Sequence, residues 1–323
     1  MTTIVRRVKR TRPSWISRFW AVVKYEMLWN IRKKKFIGII IAAFALITVQ
    51  LALPAMFEVG QNPDFAVTFT AGNLVFFLVA IVAVMNSISG EFESGTIVPL
   101  LTKPVSRTMV FLGKLFAAFI IIIVTYTVLF TYATIGGAIV YGAQNNLHLV
   151  PLALIGDVIS TFIWVAIVLA VGSISKSSLI AALGALGLFI ALTFAVAIVT
   201  SFSNQPELLN YLPGSGASGT LNVAQRSQNI TIQNITISAN SISTGTDSIG
   251  TNIVNYVLYP SATVNVTRTD FFSATPGQPP QVIQLYTESI GFIVLRSIAV
   301  AFAYIFVFLF VGWYAFKRAQ VLE

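Results

Sequence analysis

The sequence predicts an all-α polytopic membrane protein. It has six transmembrane helices, an N-terminal amphipathic interfacial helix, a short cytoplasmic helix between spans 2 and 3, and an extracytoplasmic insert with β-patterned stretches. Three observations predict it. Hydrophobic residues make up 56% of the 323 and charged residues only 10%, against roughly 25% charged in a soluble domain. The apolar residues gather in six runs, each long enough for the ~20 residues that cross a hydrocarbon core of about 30 Å. Basic residues fall almost wholly on one side of those runs. The chain has no cysteine and one histidine, His148, which leaves no thiolate or zinc site, no disulfide and no histidine triad to expect. The net charge of +9 is divided by membrane side and is not a nucleic-acid footprint.

Residues 1–35 form a basic N-terminus with an amphipathic helix from Ser14 to Arg32. At 3.6 residues per turn, Ser14, Ser17, Arg18, Ala21, Lys24 and Arg32 share one face, and Trp15, Phe19, Val22 and Trp29 another. Such a helix lies in the membrane interface. Arg32-Lys33-Lys34-Lys35 then meets anionic headgroups. Glu26 sits beside the aromatic stripe, where a carboxylate is costly unless paired; it is expected to face a protein partner or a basic side chain.

Residues 36–201 hold spans 1 to 5 at Phe36–Phe57, Ala71–Ser89, Leu115–Tyr141, Val150–Ile174 and Leu179–Ser201. Residues 290–323 hold span 6, Ile290–Phe316, and the C-terminus. With the N-terminus inside, the cytoplasmic segments carry eleven Lys and Arg before Phe36 plus Lys103, Arg107, Lys114, Lys176, Lys317 and Arg318, while the outer segments carry Arg226 and Arg268. The asymmetry places both termini in the cytoplasm. Gly172, Ser173, Ala181, Ala182, Gly184, Ala185 and Gly187 suit close helix packing.

Residues 202–289 fall outside and shift to Ser, Thr, Asn, Gly and Pro. Ile230, Ile232, Ile235 and Ile237 alternate with polar residues, with one slip, as do Val264 and Val266; both stretches suggest short strands. Three sequons stand here, at Asn229, Asn234 and Asn265, and are candidate N-glycosylation sites.

Asp157 and Arg296 are the ionisable residues inside spans. Each lies roughly 10 Å below the outer surface, seven and six residues into its helix, and opposite charges at one depth suggest an ion pair that offsets the cost of burial.

The most specific segment is cytoplasmic loop 90–114. Glu91 and Glu93 stand on a short helix at the membrane exit, which Gly95-Thr96 breaks. Ile97, Val98, Leu100 and Leu101 make an apolar patch that a loop does not normally show to water. Pro99 and Pro104 stiffen the turns, and Ser106 is placed to cap span 3. A stiff apolar helix between two spans suits docking to a cytoplasmic partner.

The pattern E-x-E-x-G-T-x-x-x-L-L-x-x-P-[VS]-S-R, followed by Gly113-Lys114, resembles the ABC-2 type permeases, the membrane subunits of type-2 ABC exporters. Lys24-Tyr25-Glu26 and Arg32 resemble that family's amphipathic helix. The insert of about 90 residues is longer and more polar than many relatives carry. The resemblance implies a coupling helix from Glu91 to Leu101 seated in a groove of a separate cytoplasmic ATP-binding cassette ATPase, with Glu26, Glu93, Gly95, Thr96, Leu100, Pro104 and Arg107 in or beside that contact. It also implies a second permease chain, identical or related, and ATP and Mg bound on the ATPase subunit. This chain has no P-loop of its own: Thr108 stands where G-x-x-x-x-G-K-[ST] requires its first glycine, and Leu115 follows Lys114. No cofactor and no catalytic residue is therefore expected in it. The competing readings are a gradient-driven secondary transporter, for which midplane carboxylates and internal repeats are wanting, a membrane enzyme, for which no nucleophile and base stand together, and an anchoring or assembly protein working through its outer insert.

Overall fold

A computed structural model describes residues 14–32, 34–56, 62–96, 105–203, 205–223, 229–232, 235–238, 241–270 and 281–319. Among them, six helices are long and apolar enough to cross a membrane: Phe36–Leu53, Asn73–Glu93, Arg107–Tyr141, Leu147–Ser175, Ser178–Thr200 and Ile290–Arg318. The helices are α1 (Trp15–Ile31), α2 (Lys34–Met56), α3 (Phe65–Thr68), α4 (Asn73–Val84), α5 (Ser89–Glu93), α6 (Arg107–Tyr141), α7 (Val150–Ser175), α8 (Ser178–Phe202), α9 (Ile249–Leu258) and α10 (Ile290–Arg318). Spans 1 to 6 are thus α2, α4 with α5, α6, α7, α8 and α10.

Serine hydroxyls set several helix starts by accepting from an otherwise orphan backbone N–H. Ser14 caps α1, Ser106 caps α6 by accepting from the Met109 amide at 3.1 Å, and Ser177 caps α8. Ser289 ends a strand and caps α10, so the insert runs into span 6 without a linker.

The bundle is built around α7. In its most apolar stretch 72% of the residues are buried, against 6% in α8, 17% in α2 and 22% in α10. The core combines Trp164 of α7 with Phe76 and Phe77 of α4 and Tyr126 and Phe130 of α6, all essentially inaccessible. Phe77 meets Trp164 edge-on at 5.3 Å. The peripheral spans instead turn Phe194, Phe302 and Phe306 outward, as helices facing lipid do. Of the small residues, Ala181 and Ala185 are fully buried, and Gly172 packs beside Ala181 where α7 turns back into α8.

Span 2 does not begin as a plain helix. Between α3 and α4 the chain is irregular from Phe69 to Gly72. Asp157 of α7 satisfies this break, accepting from the Ala71 amide at 3.0 Å and the Thr70 hydroxyl at 3.5 Å.

The insert contains β1 (Ser218–Asn222), β2 (Asn229–Ile232), β3 (Ile235–Ser238), β4 (Ser241–Ser243), β5 (Thr263–Asp270) and β6 (Gln281–Ser289). An antiparallel sheet has the order β4-β1-β5-β6, and β2 and β3 form a separate hairpin. The isoleucine alternation became this hairpin, with Ile230 opposite Ile237 and Ile232 opposite Ile235, so the slip falls between the two strands. Val264 and Val266 are the inward, fully buried positions of β5.

Helix α9 was not expected from the sequence. It lies across α7, its Gly250 over Gly156. A methyl group on Gly156 would stand 2.2 Å from the Gly250 Cα, and one on Gly250 would stand 2.3 Å from the Ala153 carbonyl oxygen. Only two glycines allow backbones this close. The insert is thereby seated on the bundle as well as tethered to it.

Candidate functional site

At the end of the bundle opposite the sheet, α1, α5 and α6 meet around one ammonium group. Lys114 Nζ lies 2.5 Å from Glu26 Oε1 and 2.7 Å from Glu91 Oε1. The lysine side chain is 1% exposed, the glutamates 5% and 15%. Burying three ionisable groups is tolerable only because each finds an opposite charge in hydrogen-bond geometry. Helix α1 therefore turns Val23, Glu26 and Asn30 toward the protein and leaves Trp15, Trp20 and Trp29 about half exposed. The exposed tryptophans lie on the face of α1 turned away from the protein, and Glu26 faces a basic side chain, one of the two kinds of neighbour expected for it.

The last three residues of α5 each reach a different neighbour. Glu91 joins Lys114 of α6. The Phe92 ring meets Phe316 near the end of α10 at 6.1 Å, edge-on, and Lys176, in the α7–α8 turn, lies 5.9 Å from its centre. Glu93 Oε1 accepts from the Ser178 amide at 2.8 Å and the Ser177 hydroxyl at 2.9 Å, and Oε2 accepts from the Ser178 hydroxyl. The carboxylate thus sits on the N-terminus of α8, where unpaired amides and the helix dipole favour negative charge. One short helix thus contacts α6, α8 and α10 directly and is linked to α1 through Lys114.

Gly95 closes α5. Its φ of +67° is the left-handed conformation with which helices commonly end on glycine. The Ser94 hydroxyl donates back to the Gly90 carbonyl at 2.6 Å and stands 2.9 Å from the Thr96 hydroxyl. Arg107 begins α6 and donates to the Lys317 and Ala319 carbonyls at 3.0 and 2.7 Å. It therefore caps the C-terminus of span 6, where a cation complements the helix dipole. An open cleft of about 580 Å³ runs between α1 and α5, with Trp29, Asn86, Glu91, Thr96, Lys114 and Ser178 on its walls.

Glu26, Glu91, Glu93, Gly95, Thr96 and Arg107 thus all lie at this end of the bundle. Leu100, Leu101 and Pro104, with Ile97, Val98 and Pro99, lie outside the described residues. Lys114 is the residue the sequence reading missed. It stands among the cytoplasmic basic residues and in the Gly113-Lys114 of the family pattern, but α6 is already seven residues long where it occurs, and a lysine that far into an apolar helix needs an acid.

The ion pair expected between Asp157 and Arg296 does not form. Arg296 makes a bidentate bridge to Glu288 at 2.7 and 2.8 Å and donates to the Thr244 carbonyl at 3.3 Å. Asp157 holds the α3–α4 break instead. Similar depth did not bring the two together because β6 delivers a carboxylate directly to Arg296, while the backbone before α4 delivers donors to Asp157. Of the sequons, Asn229 opens β2, Asn234 lies outside the described residues, and Asn265 stands within β5, its amide oxygen accepting from the Thr287 hydroxyl at 2.8 Å.

A profile of the ABC-2 family transporter proteins matches residues 20–321, which include α5, most of α1 and every span. The chain belongs to the ABC-2 transporter family. It is accordingly a membrane component of an ATP-binding cassette transporter, a multi-pass protein that transports and is not itself the catalyst, and the family works with an ATP-binding subunit. No curated protein matches the sequence of this ABC-2 transporter. Within that frame, the lysine-centred cluster and α5 are its candidate coupling site.

Proposed function

We propose that this chain is the permease subunit of an ABC exporter in the cell membrane, with both termini and α5 on the cytoplasmic side and the sheet outside. A separate ATPase subunit, which binds ATP and Mg, seats on α5 and the 97–104 segment. A second permease chain, identical or related, completes the pathway. The orientation rests on the distribution of Lys and Arg, and the missing first glycine and Ser/Thr around Gly113-Lys114 support placing nucleotide on the other subunit.

The observation that carries this reading is the set of contacts made by Glu91, Phe92 and Glu93. A push on a free loop would be absorbed locally. A push on α5 would instead load Lys114 on span 3, the start of span 5 and the end of span 6 at once. These are packed elements that move as units. The cleft beside α5 leaves room for a partner surface to enter between α1 and α5. Closure of two ATPases around nucleotide would then draw both coupling helices together and switch access between the two sides.

Affinity purification from native membranes tests this. An ATP-binding cassette subunit is expected to accompany the wild-type chain and to be lost with Glu91→Lys or Gly95→Pro, while both variants still insert. Recovery of the intact chain without any such subunit would overturn the proposal.

A further inference from the structure

Spans 3 and 6 leave an apolar groove of about 400 Å³ between them. Phe111, Leu112 and Leu115 of α6 wall it on one side and Phe302, Phe306 and Trp313 of α10 on the other. Leu112 and Phe302 are about half exposed and Phe306 more so, so the groove opens sideways from the bundle. Along α10 it runs from Phe302 to Trp313, eleven residues or roughly 16 Å. That is one leaflet of a hydrocarbon core of about 30 Å.

The Trp313 end of the groove carries charge. There the Trp313 indole N–H donates to the Thr108 hydroxyl at 3.3 Å, and both residues line the groove. Phe302, Phe306, Phe310 and Trp313 recur at helical spacing along its wall, and Lys317 is the next member of that stripe. The Lys317 ammonium lies 5.0 Å from the centre of the Trp313 ring, and its side chain is exposed. Arg107, next to Thr108 in sequence, donates to the Lys317 carbonyl at 3.0 Å. Among the described residues, neither Lys317 nor Arg107 forms an ion pair. A tryptophan and a lysine at the end of a span belong at headgroup level.

An apolar slot one leaflet long, with two cations lacking a counter-charge at one end, is complementary to a single amphiphile with an anionic head. A second copy of the chain suits it less. Among the described residues, Glu26, Glu91 and Glu93 at this end of the bundle are already held by Lys114 and by the start of α8, so they bring Lys317 no carboxylate.

We infer that this groove binds an anionic phospholipid, with an acyl chain between α6 and α10 and the phosphate at Lys317, beside Arg107. The lipid adds a second tie between the start of span 3 and the end of span 6, next to the one that Arg107 makes. The inference rests on the membrane reading and not on an ATPase partner.

Native mass spectrometry of the purified full-length chain, offered phosphatidylglycerol or phosphatidylcholine of matched acyl chains, tests it. The readout is the last lipid retained as collision energy rises, and the wild type is expected to prefer phosphatidylglycerol. One basic residue near a headgroup corresponds to a factor of roughly 5, so Lys317→Gln lowers the preference by about that factor. Lys34→Gln, which removes an exposed charge at the start of α2, leaves it unchanged. Leu112→Trp, which fills the slot, reduces retention of both lipids. Equal retention of the two lipids by the wild type would overturn the assignment, as would a preference that survives Lys317→Gln. Equal losses in Lys317→Gln and Lys34→Gln would overturn it in favour of a general surface attraction. Displacement by glycerophosphate would overturn it in favour of a free-anion site. Unchanged retention with a shift from dimer to monomer in Leu112→Trp would overturn it in favour of a contact between copies of the chain. Should Leu112→Trp fail to fold, the two charge variants decide alone.

Discussion

Lys114 stands between Glu26 and Glu91, 2.5 Å from one carboxylate and 2.7 Å from the other, so one ammonium from α6 joins α1 to α5. The trio is nearly inaccessible and carries two acids for one base. Removing the base leaves buried carboxylates facing each other. Lys114→Met is expected to destabilise the chain by about 3–5 kcal/mol, the usual effect of breaking a buried pair from one side. Replacing all three together (Glu26→Gln, Glu91→Gln, Lys114→Met) recovers most of that loss, since no charge is left stranded. Thermal unfolding of the three proteins (wild type, Lys114→Met and the triple variant) in detergent checks this. Equal Tm values for wild type and Lys114→Met would show that the cluster is open to water.

Gly95 ends α5 with φ at +67° and nothing within 4 Å of a Cβ placed there. Substitutions therefore act through the backbone alone. Gly95→Ala should cost about 1 kcal/mol, Gly95→Asn less, since asparagine tolerates the left-handed region, and Gly95→Val more. Transport or nucleotide turnover of the assembled transporter should fall in the same order. An effect that followed side-chain volume and left asparagine worse than alanine would point to a steric role.

Arg296 and Glu288 form the charge pair at the sheet end. Arg296→Glu combined with Glu288→Arg should restore the stability that either single change removes. Asp157→Arg with Arg296→Asp should restore nothing. Tm and protease resistance of the insert provide the readout, and rescue by the second combination would return the pair to Asp157.

The Gly156–Gly250 crossing admits no methyl group. Gly156→Ala should lift α9 off α7 and raise the rate of proteolysis within 202–289, with a loss of about 1–3 kcal/mol as in other overpacked contacts. Gly187→Ala, where a Cβ meets nothing within 4 Å, serves as the control and should leave the rate unchanged.

The spans were legible in the sequence because a bilayer demands long apolar runs whatever the helices pack against. The strands at Val264 and Val266 were legible because a half-buried strand must alternate. Helix α9 was not, since its ten residues sit in a Ser- and Thr-rich stretch and its burial depends on glycine 156 far along the chain. Arg296 was read correctly as a buried charge needing a partner, and wrongly paired. Depth along a helix follows from residue number, whereas the side a residue faces depends on tertiary packing. Lys114 was passed over for a related reason: its partners lie 23 and 88 residues away, beyond any local spacing.

A nucleotide-driven subunit that pushes on α5 must lie against it. The chain has no cysteine, so Ser94→Cys introduces a unique thiol beside the cleft and Asn222→Cys a unique thiol in the sheet. Each can carry a cysteine-directed benzophenone and be irradiated in native membranes. A covalent adduct with an ATP-binding cassette subunit is expected from Ser94→Cys and none from Asn222→Cys. An adduct from Asn222→Cys, or none from Ser94→Cys while that subunit still co-purifies, would contradict it.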